Sequence, residues 1–174
     1  ATAAPGQALQ VLPDPWKFAL DEADRGREAG WHKPQFDDSK WAVVRTRDIT
    51  LDAQGFDKNT VLWYRTRFNV AEQYARLRLF FTEVDGDPEV HVNEVKVEPA
   101  AALLPGTSQS ATDTDNRLKP RMPFTVNITN AVRPGENVLS VRVDHARITE
   151  LSLGGILRPV VLIQFPESKS GHAN

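Results

Sequence analysis

The sequence contains no cysteine among its 174 residues. This absence excludes disulfide bonds, thiolate nucleophiles and cysteine-based zinc sites together. Charge of one sign is also scarce, because 21 lysines and arginines stand against 23 aspartates and glutamates, which gives a formal net charge of -2 at pH 7. Such a balance provides no general attraction to nucleic acid or anionic lipid. We therefore expect no nucleic-acid partner.

Long hydrophobic runs are missing too, since no apolar stretch approaches the roughly 20 residues of a membrane-spanning helix. The composition, 40% apolar and 25% charged, is that of a globular protein, and 174 residues can bury one core. The chain starts with small residues and no Met. We expect a secreted or periplasmic protein after signal cleavage, although an artificial boundary would look the same.

Residues 61–70 are the central strand of the predicted fold. At period two, one face carries apolar and β-branched side chains and the other carries a tryptophan between two arginines. The first face is Leu62, Tyr64, Thr66, Phe68 and Val70, and the second is Trp63, Arg65 and Arg67. The first face predicts a core strand. The second predicts either a guanidinium stacked on the indole beneath a neighbouring segment or a surface that grips a polar partner, and we favour the covering segment.

Other alternating stretches predict about eight short strands in all, with frequent turns and no long amphipathic helix. Their predicted inward rows include Leu77, Leu79 and Phe81, then Phe124, Val126 and Ile128, then Leu139, Val141 and Val143. The fold class is therefore all-β, a two-sheet antiparallel jelly-roll sandwich over residues 13–166, with a flexible segment at 1–12 and a disordered tail at 167–174. We expect edge strands at 16–20 and, because of Pro159, at 157–165. A hairpin is predicted around Asn93-Glu94. The favoured two-residue turns prefer Gly at their second position, where this chain has Glu94, so we expect a turn that is strained, longer or shifted by a residue.

Two features of the chain allow a functional and a structural interpretation. Residues 99–120 form the longest predicted loop, and Asp113, Asp115 and Asn116 within it suggest calcium, but the spacing lacks the Gly and Glu of an EF-hand loop. We expect no metal and no cofactor. Trp31 and Trp41 are either packing anchors or platforms for a sugar, and we favour anchors.

An ordered series of short motifs runs along nearly the whole chain. The motifs are Trp16-Lys17-Phe18, Phe36-Asp37-Asp38-Ser39-Lys40-Trp41, Gln54-Gly55, Trp63-Tyr64-Arg65, Val92-Asn93, Pro123-Phe124, Pro134-Gly135-Glu136-Asn137, Val141-Arg142-Val143-Asp144 and Gly154-Gly155-Ile156-Leu157-Arg158-Pro159-Val160. Together they resemble the N-terminal sugar-binding domain of glycoside hydrolase family 2, the β-galactosidases and β-glucuronidases. The resemblance implies a galactose-binding-like sandwich. It also implies that the chain is not an enzyme alone, because in that family both catalytic carboxylates come from a barrel domain.

The resemblance also implies where a ligand would bind. In the family, the loop matching Gln54-Gly55 and the loop after Asp144 lie toward the sugar-processing end, so Gln54, Asp144 and His145 are the predicted contacts. A weaker set of candidates is Asp57, Arg147 and Glu150. Carboxylates, amides and imidazoles can bind paired hydroxyls. Asp144 could instead bind Arg158 or cap its loop, and the glycines at 154 and 155 are expected to be scaffold, permitting unusual backbone angles and a close approach.

Three functions follow from these observations. The first is a non-catalytic carbohydrate-binding module or accessory domain, with an oligo- or polysaccharide as its partner. The second is an interaction or structural protein of an extracellular assembly, which would use the 99–120 loop and the face bearing Trp63 to contact another protein. The third is a fragment of a larger glycoside hydrolase, whose partner would be the catalytic domain.

Overall fold

The computed structural model describes residues 6–102, 121–147 and 154–166. In these ranges the regular secondary structure is β-strands and one short 3-10 helix. The elements are β1 (Gln7–Val11), β2 (Trp16–Asp21), β3 (Ala42–Val44), the 3-10 helix Asp52–Gln54, β4 (Val61–Val70), β5 (Leu77–Phe81), β6 (Val84–Asp85), β7 (Asp87–Val92), β8 (Val95–Val97), β9 (Pro99–Ala101), β10 (Phe124–Asn127), β11 (Gly135–Asp144), β12 (Gly155–Ile156) and β13 (Val160–Gln164). Nothing helical there is long and apolar enough to cross a membrane.

Two antiparallel sheets make up the body of the protein. One has five strands in the order β1-β13-β5-β10-β9, and the other has six in the order β3-β2-β4-β11-β7-β8. The short strands β6 and β12 pair separately. A single apolar core takes side chains from both sheets, so the sheets pack face to face. The predicted all-β, two-sheet sandwich is confirmed.

The inner rows of the sandwich are those that period two predicts. On β4, Leu62, Tyr64, Phe68 and Val70 are no more than 2% exposed. The same holds for the other predicted rows, which are Leu77, Leu79 and Phe81 on β5, Phe124, Val126 and Ile128 on and after β10, and Leu139, Val141 and Val143 on β11. Alternation alone identifies these residues because a half-buried strand must place successive side chains on opposite faces.

Both predictions about edge strands are wrong. Strand β2 lies between β3 and β4, and β13 lies between β1 and β5. Pro159 ends the preceding connection and leaves the ladder of β13 intact, because the strand begins only at Val160. Strand β1 was not predicted: it lies within the segment expected to be flexible and pairs with β13, with a register shift between Ala8 and Gln10.

The predicted loop at 99–120 begins as a strand, since β9 pairs with β10. The candidate calcium residues Asp113, Asp115 and Asn116 lie outside the described residues, as do the tail at 167–174 and Glu150. The predicted hairpin at Asn93-Glu94 is confirmed, with Val92 facing Val95 across a two-residue turn. Asn93 supplies the positive φ, +55°, that glycine would otherwise provide.

Residues 22–41 cover the outer face of the six-stranded sheet. Trp63 is fully buried, and its Nε1 donates to Asp21 Oδ2 at 3.0 Å. Arg65 is 1% exposed, and its Nε donates to Asp38 Oδ2 at 2.8 Å. A covering segment was the favoured prediction, and it is confirmed. The aromatic partner differs: the Arg65 guanidinium lies 5.6 Å from the centroid of Phe36, not over the indole.

The cover also decides the role of the nearby tryptophans. Trp31 packs edge-on against Trp41 and Trp63, with ring centroids 5.1 and 6.0 Å away. Both Trp31 and Trp41 are therefore packing anchors, as favoured. Because Trp63 and Arg65 lie beneath this layer, they are not available as the partner-binding surface that the interaction hypothesis assigned to this face.

Candidate functional site

The loops at one end of the sandwich carry the candidate site. Strand β11 ends at Asp144, opposite the first residues of β4 and β7, and β5 ends at Phe81, opposite the first residue of β13. Residues 82–86 cross from one sheet to the other here. We call this region the loop end. It brings residues that are far apart in sequence into one neighbourhood.

A cleft of about 410 Å³ opens at the loop end. Its wall is formed by Asp48, Ile49, Thr50, Ala53, Glu83, Arg121, Leu157 and Arg158. Arg121 donates to Glu83 Oε1 from Nε at 2.8 Å and from Nη2 at 2.6 Å. The Arg158 Nε lies 3.5 Å from Glu83 Oε2. Two guanidiniums thus share one carboxylate.

The electrostatics of the cleft follow from this sharing. The hydrogen bond to Glu83 raises the pKa of Arg121. The side chains of Arg121 and Arg158 are 46% and 65% exposed, whereas that of Glu83 is 20% exposed. Each guanidinium carries five N–H donors, so most of them remain open to solvent or to a ligand. The cleft is therefore rich in hydrogen-bond donors.

A buried layer supports the loop end from below. Tyr64 is fully buried, its hydroxyl accepts a hydrogen bond from the Ile156 N–H at 3.3 Å, and burial raises its pKa. A Cβ on Gly155 would lie 1.9 Å from this hydroxyl, and Gly154 and Gly155 have φ values of +70° and +74°. Both expectations for these glycines, unusual backbone angles and a close approach, are confirmed.

Gln54 lies in the 3-10 helix beside the cleft. Its side-chain amide is hydrogen-bonded to backbone groups of the same loop. Its Oε1 accepts from the Arg45 N–H at 2.8 Å, and its Nε2 donates to the Arg45 and Thr50 carbonyls at 3.0 and 3.2 Å. The amide thus closes the loop that forms one wall of the cleft. These bonds account for Gln54 without a ligand, and direct ligand contact stays a prediction.

Asp144 and His145 lie at the end of β11, beside Thr60, whose carbonyl accepts from the His145 N–H at 3.2 Å. Asp144 Oδ1 accepts from the Ala146 N–H at 3.1 Å, so the carboxylate caps its loop. The imidazole of His145 is buried, with Nε2 3.7 Å from Asp85 Oδ2. This position removes the ring from the surface that a ligand would reach.

The remaining candidates are less constrained. Asp57 and Arg147 are both exposed. None of the predicted contacts that the structure describes lines the cleft, although Gln54 follows Ala53 in its wall. Glu83 and Arg121 were not predicted as site residues. Both lie in connections without apolar periodicity, so the sequence pattern does not identify them. Arg158 was predicted to bind a carboxylate or a carbonyl, with Asp144 as one possible partner, and the structure pairs it with Glu83 instead.

Metal binding has no support in the same ranges. No group of three or more His, Cys, Asp or Glu side chains that could hold a metal ion occurs within residues 6–102, 121–147 and 154–166.

Several solved structures that share the fold of this chain are glycosidases. The chain superimposes on a β-glucuronidase from Lactobacillus rhamnosus with a TM-score of 0.69 and 20% identity, covering 96% of this chain and 30% of that one. A β-glucuronidase from an uncultured Clostridium sp. gives 0.64 and 24%, covering 96% and 31%. A β-glycosidase from Bacteroides vulgatus gives 0.62 and 21%, covering 90% and 20%. The chain thus spans less than a third of the length of each.

Among curated proteins no significant match to the chain was found. A family model described as the β-galactosidase second all-beta domain matches residues 26–148, which is well over half of the chain. The matched region runs from the segment that covers the outer face to the loop after β11. The resemblance to the β-galactosidase and β-glucuronidase family is confirmed, and the chain belongs to the family of the β-galactosidase second all-beta domain.

Proposed function

We propose that this chain is a non-catalytic accessory domain of a larger glycoside hydrolase and that it binds carbohydrate in the cleft at the loop end. The observation that carries the proposal is the cleft itself, where Thr50, Arg121 and Arg158 meet Asp48 and Glu83 around an open volume of about 410 Å³. Guanidinium and hydroxyl donors next to carboxylate acceptors suit the paired hydroxyls of a sugar.

The domain role rests on family and on length. The chain belongs to a family of β-galactosidase domains, and it spans about a third or less of the solved glycosidases that share its fold. A retaining glycosidase needs one carboxyl group as acid and a second as nucleophile, about 5 to 5.5 Å apart. Glu83 in the cleft is already engaged by two guanidiniums, which argues against either role for it. Catalysis would then belong to another domain.

The composition of the cleft sets the expected strength of binding. No aromatic ring is among its described lining residues, so a sugar would gain hydrogen bonds without stacking. Hydrogen bonds exchanged with water contribute about 1 kcal/mol each, and a few of them correspond to dissociation constants on the order of 1 mM.

NMR titration of the isotope-labelled chain with galactosides, glucuronides and neutral oligosaccharides tests the sugar site. Arg158→Ala should weaken binding about five-fold, while Arg67→Ala, which removes an exposed guanidinium from the outer face, should leave it unchanged. Shifts of the neutral saccharides that map away from the cleft, or flat titrations with every saccharide, would reject the site. Turnover of aryl glycosides by the purified chain would reject the non-catalytic role.

A further inference from the structure

A second groove lies at the end of the sandwich opposite the loop end. Strand β5 begins there, and its Arg78 faces Asn127 at the end of β10. The groove encloses about 210 Å³, and its polar lining consists of Arg76, Arg78, Asn127, Thr129 and Asn130. Nothing in the cleft at the loop end reaches this groove, so the two sites are separate.

The strand pattern explains why two arginines stand side by side. Arg76 and Arg78 flank Leu77, which is fully buried in the core, so both guanidiniums project from the outer face of the five-stranded sheet. The alternation that builds the core therefore also builds a pair of neighbouring positive charges at the start of β5. Two like charges this close are unfavourable unless something negative lies between them.

Both guanidiniums are held in place by the end of β13. The ring of Phe165 lies 5.9 Å from the Cζ of each arginine. Arg76 Nη1 donates to the Pro166 carbonyl at 3.0 Å, and Arg78 Nη1 donates to Thr125 Oγ1 at 3.1 Å. The aromatic ring lies beside both guanidiniums, and these neutral acceptors use one donor group of each. Less side-chain entropy is then lost when a ligand binds.

The charge of the groove is not balanced by its described lining. No carboxylate is among the residues that line it, whereas the two arginines of the loop-end cleft share Glu83. Planar guanidiniums bind carboxylates and sulfates with two parallel hydrogen bonds. The neighbouring amides of Asn127 and Asn130 offer both donors and acceptors, which suit hydroxyl groups. Charge and lining together fit a small ligand that carries one anionic group among several hydroxyls.

We propose that this groove binds an acidic saccharide, with Arg76 and Arg78 holding its carboxylate or sulfate group and the asparagine amides contacting its hydroxyls. The site is independent of the cleft at the loop end. The inference therefore goes beyond the proposed function and stands or falls separately from it.

Calorimetric titration of the whole chain at low ionic strength tests the proposal. The probes are glucuronate, a galactose sulfate, neutral glucose, inorganic sulfate and polyglutamate. The two acidic sugars, whose comparison separates carboxylate from sulfate, should bind at least about ten-fold more tightly than glucose. Their affinity should fall as salt is added, because exposed charges are screened.

The double variant Arg76→Gln/Arg78→Gln should weaken binding of the acidic sugars about ten-fold or more, and its melting temperature checks that it folds. If the double variant does not fold, the single substitution Arg76→Gln at this exposed residue replaces it, and affinity for the acidic sugars should fall about three-fold. Arg121→Gln with Arg158→Gln is the matched control at the loop end and should leave this affinity unchanged. Equal binding of glucose, inorganic sulfate or polyglutamate would overturn the proposal, and so would binding that survives loss of both Arg76 and Arg78.

Discussion

Acid should destabilise this protein through a close pair of histidines, of which His91 is buried and His32 is half-buried. His91 on β7 is 7% exposed and faces His32 of the covering segment, with ring centroids 4.5 Å apart and planes tilted by 30°. The Nδ1 atoms of both rings are buried without a hydrogen-bond partner in the described part of the chain. A proton on either ring would therefore place a charge where little can solvate it.

The charged groups around the pair come from every neighbouring element. The covering segment contributes Arg27 and Lys33, β4 contributes Arg65, β7 contributes Glu89, and Lys96 and Glu94 come from β8 and the turn before it. Burial first, and then the positive neighbours led by the partner His32, lower the pKa of His91 from 6.5 to about 4. Burial likewise lowers the pKa of His32.

The sign of the effect follows from proton binding. Between pH 6.5 and about 4 the unfolded chain carries a proton on residue 91 that the folded chain does not, so the free energy of unfolding falls as the pH falls through this window. A shift from 6.5 to about 4 at about 1.4 kcal/mol per pH unit corresponds to at most about 3 kcal/mol. Below about pH 4 this contribution no longer changes.

Urea unfolding at pH 7 and pH 4.5 measures the effect. His91→Phe keeps an aromatic ring beside His32 but cannot bind a proton, so the variant should lose about 2 kcal/mol less than the parent on acidification. Lys96→Gln, which removes a neighbouring charge and keeps both histidines, should retain most of the parent's acid sensitivity. The reasoning is refuted if His91→Phe and the parent lose the same stability between the two pH values.

Two further predictions concern contacts that hold the sheets and the loop end. Gly155→Ala should lower the free energy of unfolding in urea by about 3 kcal/mol or more, because the added Cβ would lie 1.9 Å from the Tyr64 hydroxyl and the φ of residue 155 is +74°. Adding Tyr64→Phe should recover part of the loss, and no recovery would contradict this contact. Asp38→Ala should cost about 3 to 5 kcal/mol, because it leaves the buried Arg65 without its carboxylate. The exposed Asp37→Ala, which removes only a hydrogen bond to the Ser39 N–H, should change the free energy of unfolding far less. Equal losses in the free energy of unfolding for Asp38→Ala and Asp37→Ala would contradict a stabilising role of the buried Arg65–Asp38 pair.

The sequence determined the inner rows of the sandwich. Leu62, Tyr64 and Phe68 lie where period two predicts them. The face of a strand on which a residue lies follows from its position in the alternation, so an apolar residue at every second position indicates the buried face. The same is true of the Gly154-Gly155 pair, whose positive φ values few other residues would accept.

Tertiary structure decided the sheet edges and the contents of the cleft. Whether β2 or β13 is an edge depends on whether β3 pairs with β2 and β1 pairs with β13, and each of these partners is distant in sequence from the strand that it covers. Glu83 and Arg121 meet in the cleft only because two loops converge at one end of the sandwich. A pairing between residues of different loops leaves no period in the chain, so only the folded protein reveals it.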